Sequence, residues 1–334
     1  TLCHVFMEAS RNMNNFSIGE AANLAPTGIA SFAKVPIANI RNFNADIAII
    51  GAPSDLGIQG KSGTRLGPRG IREQSTRFHY SPGGTYDPEK DICYLSTKIW
   101  KIVDLGDIDY IPGDLETTFE NIENAVRIIM NHKAFPVILG GDHSISIPVV
   151  KGLDNVGDFN VIHIDAHLDW TTNVGNQRFF NGSPCRRMAE IPYVKRISHL
   201  GIHGIGSSQK SDFDDARRHG DIIYSPKQIR KIGISNAVSQ LPQDLPVYVT
   251  IDIDSLDYSI APGTGSPMTG GLLYDELREI LECIAQLMPI IAFDLVEVSP
   301  PYDERSGITC YTAARLISDF LGYITKQREL EGIK

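Results

Sequence analysis

The sequence predicts an α/β fold built on a mostly parallel sheet. Three observations carry that expectation. Eight short segments are rich in aliphatic and β-branched residues on both faces of the strand period, as in strands that helices cover from both sides. Helical patterns of apolar residues alternate with them along the chain. Several of these segments end in polar clusters, and sheets of this kind bind ligands beyond the carboxyl ends of their strands.

The elements follow in order. Residues 1–44 are polar and Asn-rich without a sustained period. They read as an N-terminal arm with short helical pieces, suited to packing on a neighbouring subunit. Residues 45–334 read as one domain, because no Pro/Gly/Ser-rich linker, low-complexity stretch or internal repeat divides them. ADIAIIGAP (45–53) is the first strand, and a helical segment covers 67–78. KIVDLGDI (101–108) is the next strand. A helix spans 116–132, where Phe119, Ile122, Ala125, Val126 and Ile129 recur at helical spacing. Strands at 135–143 and 160–169 flank a short helix near 145–153. Further strands fall at 196–204, 221–225, 246–254 and 289–298, with helices near 209–219, 226–232, 272–287 and 310–328.

Composition excludes several classes. The 334 residues carry 31 basic and 40 acidic side chains, a net charge of −9, and no Lys/Arg stripe, which argues against a nucleic-acid partner. No apolar run approaches the roughly 18 residues of a membrane span, and the first twenty residues lack a secretory apolar core, so a cytoplasmic protein is expected. The five cysteines are widely spaced with no C-x-x-C, which predicts free thiols rather than disulfides or a cysteine zinc site.

Four strand ends are polar: Gly140-Gly141-Asp142-His143-Ser144, Asp165-Ala166-His167-Leu168-Asp169, Asp252-Ile253-Asp254 and Glu297-Val298-Ser299-Pro300. Asp165, His167 and Asp169 recur every second residue, so an extended chain directs all three to one side. Asp252 and Asp254 repeat that period after the apolar Val247, Val249 and Ile251. A lone Asp-x-Asp is commonly a cap, and a lone His143 a satisfied core histidine. Six such side chains at the ends of three buried strands are not explained that way, since they repel or go unsatisfied without a cation. His143, Asp165, His167, Asp169, Asp252 and Asp254 are oxygen-rich and too many for one zinc ion. They suit two divalent ions, Mn²⁺ first, with Ni²⁺, Co²⁺ or Fe²⁺ as alternatives. His163 lies in period with Asp165 but deeper in the strand, and is expected to support the ligands rather than join them.

GGDHS (140–144), DAHLD (165–169) and DIDSLDYSIAPGTGSPMTGG (252–271) resemble the three signatures of the ureohydrolase superfamily of arginases, agmatinases and related amidinohydrolases. GAPSDLG (51–57), SGTRLGPRGIRE (62–73) and EVSPPYD (297–303) extend the resemblance over about residues 45–325, and it is closest to the agmatinase-like branch. The resemblance implies a three-layer α/β/α sandwich on an eight-stranded sheet. It also implies a homo-oligomer of three or six chains, with a related partner subunit as the alternative. By the same resemblance, His143, Asp165, Asp169 and Asp252 hold one ion, and Asp165, His167, Asp252 and Asp254 the other. An activated water, oriented by Asp169, attacks a guanidinium carbon. Glu297, otherwise readable as a strand-end salt-bridge partner, pairs with the planar guanidinium. The products are urea, or a urea derivative, and an amine.

Two departures bear on substrate. Relatives commonly carry a proton-shuttling histidine before a Gly-Thr/Ser-Pro segment, and here Asn181 precedes Gly182-Ser183-Pro184. Asn cannot transfer a proton at neutral pH. The loop 170–180 carries Trp170, Phe179 and Phe180 but no carboxylate for a distal amine, which predicts an aromatic pocket wall. Thr64 is expected to add a hydroxyl to that pocket. Agmatine is the family default, and guanidine, a guanidino acid and a biguanide are the alternatives. Asn181 also fits a catalytically weak subunit of a hetero-oligomer. A mononuclear zinc deacetylase, a fold with similar layers, is disfavoured by the complete signature set.

Overall fold

The structure, a computed structural model, describes residues 24–333. Ile47–Gly51 (β1) is buried at every position, as its unbroken aliphatic run requires. The same holds for Phe135–Leu139 (β5), Phe159–Ile164 (β6) and Val247–Asp252 (β9). With Ile102–Asp107 (β4), Val194–Leu200 (β7), Ile222–Tyr224 (β8) and Ile290–Val296 (β10) they form one eight-stranded sheet, in the order β4-β1-β5-β10-β9-β6-β7-β8. Every pairing in it is parallel. All eight strands expected from the sequence are in this sheet, and each sits inside or within two residues of its expected span.

Alternation sorts the strand side chains between two helix layers. Ile47, Ile49, Val137, Leu139, Val249, Ile251 and Phe293 face one core. That core is closed by Gly67–Ser75 (α1), Tyr274–Leu287 (α8) and Ile308–Leu330 (α9), through residues such as Ile71, Leu277, Ile284, Leu316 and Phe320. Ala48, Ile50, Ile138, Val161 and Val296 face the other core. Leu115–Asn131 (α2), Ser146–Lys151 (α3), Pro184–Met188 (α4) and Lys210–His219 (α5) close that side. The α2 stripe Phe119, Ile122, Ala125, Val126 and Ile129 is buried as its spacing requires, and Asp114 caps the helix by accepting the Thr117 N–H. Pro226–Ile232 (α6) and Ile234–Ser239 (α7) complete the α-helices among the described residues.

Two features depart from the expected outline. An antiparallel hairpin, Thr85–Asp87 (β2) with Ile92–Tyr94 (β3), stands between β1 and β4 in the chain. Arg278 of α8 holds it, with Nη2 2.6 Å from Asp87 Oδ2 and Nη1 on Glu89. The arm expected over 1–44 lies outside the described residues up to residue 23. Its described part runs along the edge strand. Phe32 and Ala33 are buried, the Phe32 N–H donates to Asp104 Oδ2 at 2.8 Å, and Ile37 bridges to Asp104. Arg72 closes this corner with a fork on Asp104, Nε–Oδ2 2.8 Å and Nη2–Oδ1 3.0 Å. Cys185 and Cys310 are buried free thiols and Cys93 is exposed. Among the described residues no helix is long and apolar enough to cross a membrane.

Candidate functional site

Four neighbouring central strands, β5, β10, β9 and β6, end side by side and deliver the polar clusters to one place. After β5 the chain turns tightly. At Gly141 an added Cβ would lie 1.9 Å from the Ser54 carbonyl oxygen, so only glycine lets these backbones meet. Asp142 then caps the turn, accepting the Ser144 N–H at 2.8 Å and the Gly57 N–H at 3.0 Å. This turn aims His143 inward.

His143 Nδ1 lies 3.0 Å from Asp165 Oδ2, 3.2 Å from Asp169 Oδ2 and 3.2 Å from Asp252 Oδ2. Its other nitrogen, Nε2, is 3.0 Å from Thr250 Oγ1. Thr250 is in turn 3.2 Å from Ser146 Oγ, which donates to Asp294 at 2.6 Å. With Nε2 as the donor, Nδ1 is a lone pair facing three carboxylate oxygens, and it is a buried nitrogen without a hydrogen-bond partner. His167 Nδ1 lies 3.1 Å from Asp254 Oδ2 and 3.4 Å from Asp165 Oδ1. The six expected ligands thus converge, with Asp165 touching both halves. Asp165, Asp252 and Asp254 are at most 2% exposed and Asp169 is 6% exposed.

Such crowding is costly without a cation. Burial and the Asp165 charge push Asp169 up to about 7. Burial, then Asp254 and Asp165, push Asp252 well above the carboxylate range, and burial also raises Asp254. Burial opposes a charge on His143, but the surrounding carboxylates lift it well above the usual imidazole value. Burial would raise Asp165, yet the three imidazoles around it hold it well below the usual range. An orphaned lone pair among carboxylates, joined to a second imidazole–carboxylate group, is a donor set that divalent cations satisfy.

Glu297 follows β10 and is 3% exposed. Its Oε1 accepts the His143 N–H at 2.9 Å, which ties it to the cluster. Burial and Asp142 push its carboxyl well above the usual range. Asp169 and Glu297 both adopt left-handed backbone, φ +53° and +64°. Strain of this kind, about 1–3 kcal/mol per residue, persists where surrounding structure enforces it and gathers at functional sites.

A cleft of about 300 Å³ opens onto these groups. His167, Asp169, Asp252, Asp254 and Glu297 form its floor, and Gln59, Gly60, Thr171, Asn181, Gly182, Ser207 and Ser266 its walls. Asn181 stands at the rim, its Oδ1 accepting the Gln59 N–H at 3.3 Å.

The rings expected as an aromatic wall from the 170–180 loop do not line this cleft. Trp170 is buried behind the site, donating Nε1–H to Asp215 Oδ2 at 3.1 Å. Phe179 packs on Phe119 of α2 and Phe180 is 3% exposed. Trp170 and Phe179 serve the outer helix layer because the loop folds back to start α4, and Phe180 packs beneath Gly182. Thr64 is also fully buried and absent from the cleft lining. Sequence reasoning missed Thr250, which its period with Asp252 could have signalled. It also missed Gln59, Ser207 and Ser266, which lie in loops without a pattern.

The chain matches the arginase family over residues 45–322. It is 31% identical over 307 residues to the mitochondrial guanidino acid hydrolase of Homo sapiens, across 90% of this chain and 84% of that protein. It is 30% identical over 316 residues to the agmatinase of Proteus mirabilis, across 92% of this chain and 98% of that protein. Among solved structures, the proclavaminate amidino hydrolase of Streptomyces clavuligerus superposes with a TM-score of 0.82 at 28% identity, covering 90% of this chain and 98% of its own.

Proposed function

The chain belongs to the arginase family, agmatinase-like branch, as a hydrolase of linear amidine C–N bonds, and we propose that it works with two divalent ions on a small guanidino compound whose remainder is uncharged. His143, Asp165, Asp169 and Asp252 would hold one ion, and Asp165, His167, Asp252 and Asp254 the other. Mn²⁺ is the first choice and Ni²⁺ the second. When bound, the ions activate water for attack on carbon at neutral pH. Asp169 orients that nucleophile. Glu297 pairs with the planar guanidinium, a fit of fork to carboxylate. Collapse at the attacked carbon releases urea, or a urea derivative, and an amine.

The lining of the cleft carries the substrate reading. Apart from the proposed ligands and Glu297, every residue on its walls is a neutral amide, hydroxyl or glycine. No side chain among them pairs with the carboxylate of a guanidino acid or the distal ammonium of agmatine. Lys61, the nearest cation in the 59–62 loop, lies over the Tyr302 ring at 5.3 Å instead. Guanidine itself and short neutral alkylguanidines fit this cleft best. Asn181, tied to Gln59 at the rim, cannot protonate the leaving amine, so that proton would come from the attacking water by way of Asp169.

The test loads chelator-stripped protein with Mn²⁺ or Ni²⁺ and scores guanidine, methylguanidine, agmatine, arginine, guanidinobutyrate, guanidinopropionate and a dialkyl biguanide by urea or amine release. Highest kcat/KM on a neutral-tailed compound is expected, and preference for agmatine or a guanidino acid would overturn the substrate reading. Asn181→His separates the second reading, a subunit weakened at this position. A rise of at least about tenfold in turnover would support that reading.

A further inference from the structure

We propose that His199 and Asp221 are positioning residues for the metal centre, holding His163 and through it the Asp165 carboxylate that both ligand groups share. The proposal rests on the two-ion reading above. It starts from sheet register. β7 lies beside β6, and the register sets His199 directly opposite His163. Both rings are completely buried, edge to face, with centroids 5.1 Å apart.

A continuous line of hydrogen bonds runs through them. His163 Nε2 lies 2.8 Å from Asp165 Oδ2, and His163 Nδ1 lies 3.0 Å from His199 Nδ1. His199 Nε2 lies 3.2 Å from Asp221 Oδ2. An ionised Asp165 can only accept, so His163 donates from Nε2 and accepts at Nδ1. His199 must then donate from both nitrogens, Nδ1–H to His163 and Nε2–H to Asp221, which makes it an imidazolium balanced by the Asp221 carboxylate. Asp221 is anchored independently, by the Ile197 N–H at 3.2 Å and His219 Nδ1 at 2.8 Å.

The same cluster reaches a second ligand. His199 and His219 both pack on Trp170, with centroids at 6.0 and 5.6 Å. Trp170 immediately follows Asp169, whose left-handed backbone needs enforcement. Asp165 and Asp169 are therefore braced by one set of side chains. Apolar residues would fill this space without the cost of desolvating two imidazoles and a carboxylate. A chain of polar groups retained there, satisfied bond by bond, is what ligand orientation requires.

Cys185 Sγ approaches His163 and His199 closely enough for the three to hold a soft metal ion. The line from nitrogen to nitrogen at 3.0 Å favours a shared hydrogen over an ion. The test distinguishes the two.

Mn²⁺ binding to the full chain is measured by titration and by the electron-spin spectrum of coupled ions, with metal analysis of the protein as purified. Wild type should bind two Mn²⁺ with a coupled spectrum. His199→Phe should weaken binding by about 10- to 100-fold and lose the coupling. His199→Asn, whose amide nitrogen sits near the Nδ1 position, should restore most of both. Asp221→Asn reads the same step should His199→Phe fail to fold, with weaker Mn²⁺ binding expected and unchanged binding overturning the proposal. Unchanged binding in His199→Phe, or equal loss in the Phe and Asn variants, also overturns it. An equivalent of zinc or copper that Cys185→Ser and His199→Phe both lose makes the cluster a metal site instead. Failure of wild type to bind two ions refutes the two-ion reading itself.

Discussion

Removing the ions should make stability fall with rising pH across the neutral range, and the size of the fall can be worked from Asp169. Its folded-state pKa without metal is pushed up to about 7, against about 3.9 in an unfolded chain. A group raised in this way contributes stability that is complete below the unfolded value and lost as pH climbs through the folded one. Between pH 5 and pH 7 the loss starts at about 1.4 kcal/mol per unit and halves on reaching the folded value, roughly 2 kcal/mol in all. Asp252, Asp254, Glu297, His143 and His167 are raised too and act in the same direction. Asp165 is lowered, so its contribution changes only below about pH 4, outside this window. An unfolding entropy of about 2.1 cal/mol/K per residue makes about 0.7 kcal/mol/K for this length. Asp169 alone then lowers Tm by about 3 °C; His163, which burial pushes down to about 4, opposes it with a gain of about 2 kcal/mol over the same range, which the other raised groups must outweigh. The assay is thermal unfolding by circular dichroism at pH 5, 6 and 7, on stripped protein and on the same protein reloaded with Mn²⁺. The reloaded protein should lose this slope, because cations hold the carboxylates ionised. A stripped-protein Tm that is flat or rises from pH 5 to 7 would refute the reasoning, since it would mean that the carboxylates do not crowd one another.

Three further outcomes are expected. Glu297→Gln removes the charge meant for the guanidinium at about 3 kcal/mol, so kcat/KM should fall about 100-fold while metal content, by elemental analysis, stays at wild-type level. Thr250→Val keeps shape but strips His143 Nε2 of its partner, which should cost about 1–3 kcal/mol in stability by denaturant titration and weaken Mn²⁺ binding about tenfold. Gly141→Ala should yield no soluble protein, because the new Cβ meets backbone at 1.9 Å, whereas Gly83→Ala, with its nearest neighbour at 3.7 Å, should express normally.

The sequence exposed what local patterns encode. Strands such as 47–51 and 247–252 announce themselves because burial on both faces demands unbroken aliphatic residues. The converging His and Asp cluster was legible because a two-residue period at a buried strand end has few innocent explanations. Partners distant in the chain hid the rest. The hairpin at 85–94 has only three residues per strand, and its anchor, Arg278, comes from 191 residues beyond Asp87. Trp170 looked like a pocket wall because nothing nearby in sequence revealed Asp215 as its partner. His199 looked like an ordinary strand residue until the register placed it against His163.

The strand order also sets when the site can exist. β10 sits between β5 and β9, yet it is the last strand made. The bond from the His143 N–H to Glu297 spans 154 residues. On a growing chain, the loops bearing His143, Asp165 and Asp169 leave the ribosome long before the strand that draws β5 and β9 together. Until then the central lane of the sheet is empty and the carboxylates are held by water. Such non-local pairing is slow, and half-built sheets with open edges are prone to aggregate. On the two-ion reading, tight ion binding would require β10 to be in place. A fragment ending before Ile290 should hold no ions tightly.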